Sequence, residues 1–168
     1  MRAIVPVVVL CLVSISALNC SLRGQSAHAS RFVGEWTFQD STGSVPPYDL
    51  VTKVQYDGGR LTFDTTWGGP PNAPQGLTFI GVVTPHISLD LSGREAGSQV
   101  GPFVIRHTSE WKNEELVTRW STSEYMGSSY SGTWKRSVAK DGSTMTLDIY
   151  ALSSIGSVSR ARIVFRRK

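Results

Sequence analysis

From residue 32 to residue 166 almost every segment alternates hydrophobic and polar residues with period two, and no stretch keeps helical spacing over the dozen residues a helix needs. In the first run Phe32, Gly34, Trp36 and Phe38 share one side, with Val33, Glu35, Thr37 and Gln39 on the other. A second run over 50–56 groups Leu50, Val54 and Tyr56. Asp57-Gly58-Gly59 then supplies the positive-φ residues that a short hairpin demands, and Leu61, Phe63, Thr65 and Trp67 alternate out of it. After a Gly- and Pro-rich loop over 68–76, strands are expected over 77–84, 87–91, 103–111, 116–125, 130–138, 143–152 and 158–166.

One device recurs: an aromatic near a strand end, a short polar turn, and a return strand of apolar and Thr residues. It occurs at Tyr56-Asp57-Gly58-Gly59-Arg60-Leu61, at Trp111-Lys112-Asn113-Glu114-Glu115-Leu116, and from Trp134 into Lys140-Asp141-Gly142-Ser143-Thr144-Met145. Each copy reads as a hairpin, and consecutive hairpins make an antiparallel meander. About ten short strands are too many for a flat open sheet, so the pattern predicts a closed barrel or a sandwich. Closure also removes sticky strand edges.

The start of the chain breaks this pattern. Met1 and Arg2 precede an apolar run over 3–13, and Ala27-His28-Ala29 offers a small-x-small cleavage site. This predicts an export leader over 1–29 and a single domain over 30–168, located in a periplasm or outside the cell. A lipoprotein anchored at Cys20 is the minor alternative. The apolar run falls short of the roughly 20 residues a spanning helix needs, so no transmembrane segment is expected. Both cysteines, Cys11 and Cys20, lie in the leader, which leaves the domain without disulfides or thiolate ligands. Arg2 and Arg23 leave too, so the formal excess of +4 shrinks by two and gives little reason to expect nucleic acid as a partner.

Phe32-Val33-Gly34-Glu35-Trp36, together with Gly132-Thr133-Trp134-Lys135-Arg136 and the Lys140–Leu147 stretch, resembles the small secreted bacterial proteins with a lipocalin-like, or calycin-like, β-barrel. The resemblance spans most of the domain and implies an all-β, antiparallel up-and-down barrel of about 8–10 strands. In that superfamily a Gly-x-Trp on the first strand closes the barrel base and an arginine on the last strand packs across the Trp. Here that implies Gly34 and Trp36, with Arg166, or its neighbour Arg167, as partner. A guanidinium can stack over an indole while donating to carbonyls at a barrel end.

The residue types argue against catalysis more than for it. His107 runs in phase with Phe103, Ile105 and Trp111, where a histidine is more often a hydrogen-bonded core residue than a catalyst, and His86 follows Pro85 ahead of a strand. No His-x-His pair, cysteine cluster, nucleophile elbow or phosphate loop is present, so no catalytic residue, metal site or cofactor is assigned. Trp67, Trp111, Trp120, Tyr125 and Tyr130 fall near strand ends, where they can line a barrel mouth or simply fill the interior. Arg160, Arg162, Arg166, Arg167 and Lys168 read as a charged exterior stripe.

The in-phase set Leu61, Phe63, Trp67, Ile105, His107 and Trp120 is mainly apolar with one imidazole. From it Phe63, Trp67, Ile105, His107 and Trp120 are the candidate ligand-binding residues, for a small, partly apolar or amphipathic molecule held non-covalently. The competing reading is a structural or interaction module of the cell envelope, its barrel filled and without a ligand.

Overall fold

The computed structural model describes residues 25–43, 50–67, 86–100 and 103–168. The expected strand over 77–84 and the loop over 68–76 lie outside them. Among the described residues ten antiparallel strands follow one another: β1 (Gly34–Gly43), β2 (Leu50–Asp57), β3 (Arg60–Trp67), β4 (His86–Asp90), β5 (Ala96–Val100), β6 (Phe103–Lys112), β7 (Glu115–Thr122), β8 (Tyr130–Val138), β9 (Thr144–Ser153) and β10 (Val158–Arg167). Each pairs with its sequence neighbour except β4 with β5, and β1 also pairs with β10, giving the order β4-β3-β2-β1-β10-β9-β8-β7-β6-β5. The sheet is a nearly closed up-and-down barrel. β4 and β5, at the two ends of this order, are connected through the turn at 91–95.

The hairpin chemistry works as expected. Gly58 and Gly59 both take positive φ (53° and 88°) between β2 and β3, and Asn113 (58°) turns β6 into β7. β5 had no counterpart in the alternation, because Ala96-Gly97-Ser98-Gln99-Val100 carries a single large apolar residue. Its place is set by pairing with β6, Ala96 opposite His107 and Val100 opposite Phe103.

At one end, called the base, the chain before β1 forms a short helix over 25–30. Ala29 and Phe32 are buried there, His28 and Phe32 lie against Trp111 at ring distances of 5.5 and 5.8 Å, and Arg31 donates to the carbonyls of Val138 and Ala139. The small-x-small triplet Ala27-His28-Ala29 thus sits in this helix. Trp36 is wholly buried, and its Nε1–H donates to the Phe32 carbonyl at 2.8 Å.

Arg167, rather than Arg166, covers that indole. Its guanidinium carbon is 4.3 Å from the ring centre, and its nitrogens donate to the carbonyls of Gly142, Val33 and Arg31 at 2.8, 2.7 and 2.6 Å. Strand alternation explains the correction, since Arg167 is in phase with buried Ile163 and Phe165, whereas Arg166 points outward and is exposed. It also removes Arg167 from the exterior stripe. Gly34 is required on two counts: its φ is +139°, and a Cβ there would lie 2.8 Å from Arg167 Nη1. The rest of the basic tail is superficial: Arg162 is bidentate to Asp148 (2.6 and 3.1 Å) and Lys168 pairs with Glu35.

Candidate functional site

Inside the barrel the alternation brings together residues of β3, β6, β7 and β8. Leu61, Phe63, Ile105, His107 and Trp120 are all buried, as expected. Trp67 ends β3 opposite Leu50, and its side chain lies outside the described residues. The aromatic set divides between the two ends and the middle. Trp111 is at the base beside Phe32, Tyr125 and Tyr130 flank Phe103 at the opposite end (5.5 and 6.1 Å), and Trp120 lies mid-barrel.

Trp120 stacks on Trp134 of β8, ring centres 5.2 Å apart and planes 23° from parallel. Gly132 makes the pair possible. Any Cβ at that position would meet the Tyr150 carbonyl at 1.9 Å and the Trp120 ring at 3.0 Å.

The residue that sequence reasoning missed is Arg136. It follows Trp134 by two on β8 and precedes Val138 by two, so all three side chains point inward and all three are buried. The signal lies in this alternation, although in the sequence the arginine stands out only as the last residue of the Gly132-Thr133-Trp134-Lys135-Arg136 stretch that carries the resemblance. Its guanidinium carbon lies 4.6 Å from the centre of the Phe63 ring and 5.3 Å from that of Trp134. β3 and β8 stand five places apart in the ten-strand order, on opposite walls, so Arg136 reaches across the interior.

No carboxylate among the described residues accompanies this cation, and its Nη1 has no hydrogen-bond partner there. Burial away from water pushes its pKa down to about 10, so it remains charged at neutral pH. Unpaired buried donors gather on the same walls: Trp120 Nε1 and Trp134 Nε1 also lack acceptors. His107, opposite Trp120 in the ladder, has an unpartnered Nδ1, and its Nε2 is 3.5 Å from Ser98 Oγ. Burial first, and the Arg136 charge second, hold its pKa below the ordinary histidine value, which keeps the imidazole neutral. Elsewhere the interior hydroxyls satisfy each other, Ser109 with Thr118 at 3.0 Å and Thr52 with Thr65 at 3.1 Å. Trp111 Nε1, at the base, also lacks an acceptor, but the two unpartnered indole donors on β7 and β8 share those walls with the buried Arg136 charge.

No group of three or more potential metal ligands occurs among the described residues. His86, at the start of β4, bonds Asp64 at 2.5 Å on the exposed outer face. Among these residues no helix is long and apolar enough to cross a membrane.

Fold and interior define a class, the lipocalin-like up-and-down barrels. Among solved structures the chain is similar to the REP1-NXSQ fatty acid transporter (TM-score 0.55, 12% identity, 83% of this chain and 97% of that one). It is also similar to the Schistosoma mansoni fatty acid binding protein in complex with arachidonic acid (TM-score 0.52, 13% identity, 84% and 98%). A secretory abundant heat soluble protein from Ramazzottius varieornatus matches at TM-score 0.52 with 8% identity, covering 82% and 96%. At such identities the likeness establishes the fold. No family model matches the sequence, and no curated protein matches it.

Proposed function

We propose that this protein binds a small amphipathic molecule inside the barrel, the ligand's apolar part against Phe63, Ile105 and Trp120 and its anionic head, a carboxylate by chemistry, on Arg136. The observation that carries the reading is the buried guanidinium that meets no acid among the described residues. An unpaired buried cation is costly, and an entering carboxylate converts that cost into charge-assisted hydrogen bonds. Trp120 and Trp134 Nε1–H offer further donors to the same oxygens. The fatty-acid-binding proteins that share this fold support the choice of a lipid-like acid. Export, directed by the apolar run over 3–13, is part of the same proposal and places the carrier in a periplasm or outside the cell. The mass of the exported chain tests that part.

The binding test is a titration of oleic acid, oleyl alcohol and methyl oleate, followed by the fluorescence of Trp120 and Trp134. The acid binds more tightly than its neutral analogues, and Arg136→Gln weakens only the acid, by about tenfold or more, as expected for a lost charge-assisted bond. Equal affinity for acid and alcohol, or an unchanged affinity in Arg136→Gln, overturns the anionic-head reading. Absence of binding by all three, with thermal midpoints unmoved, returns the barrel to a structural role.

A further inference from the structure

The end of the barrel opposite the base carries nearly all of the exposed apolar surface. Of the seven large hydrophobic side chains left exposed among the described residues, six lie there: Val104, Tyr125, Met126, Leu152, Ile155 and Val158. Met126 and Ile155, 87% and 77% exposed, occupy the tips of neighbouring turns, β7 to β8 and β9 to β10. The tips are fastened side by side, since Ser154 N donates to the Ser129 carbonyl at 2.8 Å and Ser129 N to Ser154 Oγ at 3.2 Å.

Met126 is also in the wrong conformation for its residue type. Tyr125 and Ser128 close a two-residue hairpin with mutual bonds of 2.9 and 3.0 Å, which forces φ of 51° on Met126 and 74° on Gly127. The first of these positions favours Asn, Asp or Gly, so a solvent-exposed methionine there loses stability twice, in backbone strain and in hydration. Such a residue points to a use outside the fold.

We propose that this end docks on a lipid bilayer, with Met126 and Ile155 entering the interface. Three observations favour a bilayer over a protein. The two most exposed apolar side chains, Met126 and Ile155, stand singly at the tips of two turns, a geometry suited to entering between lipid head groups. Their flanks are Ser and Gly with one tyrosine, Tyr125, a side chain suited to the head-group level. Arg106 and Arg160, exposed and without acidic partners among the described residues, follow Val104 and Val158 by two on the same outer faces, so a basic collar sits just below the apolar tips. Glu124 is the one acidic residue in the two turns.

The test is sedimentation of the full chain and of Met126→Asn/Ile155→Ser with phosphatidylcholine vesicles, with and without phosphatidylglycerol. Both proteins carry the same apolar run over 3–13, so the difference between them reports the tips. The double variant binds vesicles about tenfold less or weaker still, given the apolar area withdrawn, while its thermal midpoint holds or rises because Asn suits the turn. Arg160→Gln lowers binding to the anionic vesicles only, and salt does the same to the parent. Equal vesicle binding by parent and double variant overturns the proposal. So does a concentration-dependent dimer of the parent that the double variant abolishes, because the occupant is then a second copy. Oleic acid affinity, measured on the same variant without vesicles, stays at the parent value. The docking surface and the interior site therefore fail or stand separately.

Discussion

Two arginines in this barrel lie over tryptophans, and their surroundings give them opposite meanings. Arg167 covers Trp36 at the base and donates to three backbone carbonyls, of Arg31 and Val33 ahead of β1 and of Gly142 in the turn between β8 and β9. Its charge faces the partial negative ends of peptide groups, and the fold is complete around it. Arg136 lies beside Trp134 and Phe63 in the interior with no acid among the described residues and with an orphaned Nη1. Residue type and aromatic contact are shared, whereas Arg136 is buried with an orphaned nitrogen and Arg167 is half-buried with its acceptors supplied. A satisfied cation belongs to the architecture, whereas an unsatisfied buried one is held by the fold at a cost and is explained by what it meets from outside.

The largest expected effect tests the base alone. Trp36→Ala leaves a cavity where a buried indole was and strips Arg167 of its stacking partner, a loss of about 3 to 5 kcal/mol. A denaturant midpoint within error of the parent would refute the structural role given to this end. Arg167→Leu leaves the carbonyls of Gly142, Val33 and Arg31 short of a donor and costs about 2 to 4 kcal/mol. Arg136→Met should do the reverse, leaving stability unchanged or raising it by up to about 2 kcal/mol as an unpaired charge leaves the interior. A loss comparable to that of Arg167→Leu would erase the distinction between the two arginines.

The smallest effect sharpens the interior half. His107 has its folded-state pKa depressed, by burial first and by Arg136 second, so the unfolded chain binds its proton more readily. Stability is then complete above the unfolded value near 6.5 and falls as pH drops through and below it. Stability curves between pH 7.5 and 5 for parent, His107→Phe and Arg136→Met check this. The decline flattens in the first variant and shrinks in the second, because only part of the depression comes from the arginine.

The hairpin order was readable because period-two alternation and turn residues such as Asp57-Gly58-Gly59 act locally. The same rule places Arg136 inward between Trp134 and Val138, so its direction was legible although its meaning was not. β5 was missed for a physical reason: Ala96-Gly97-Ser98-Gln99-Val100 is a strand because β6 offers an edge, not because of its own side chains.

What the sequence determined by itself is therefore the set of strands with strong alternation, their antiparallel connection, and which side chains share a face. Those are consequences of covalent spacing and of φ preferences within a few residues. Alternation already turns Arg167 inward and Arg166 outward, but only the tertiary structure decided that the inward guanidinium meets the Trp36 ring. Trp36 and Arg167 become ladder partners only when β1 meets β10 across the barrel seam. It alone decided, too, that Arg136 crosses to Phe63 on the opposite wall without meeting a carboxylate among the described residues. Whether a charge is paired depends on residues brought close by closure of the whole sheet, and no local spacing along the chain encodes that distance.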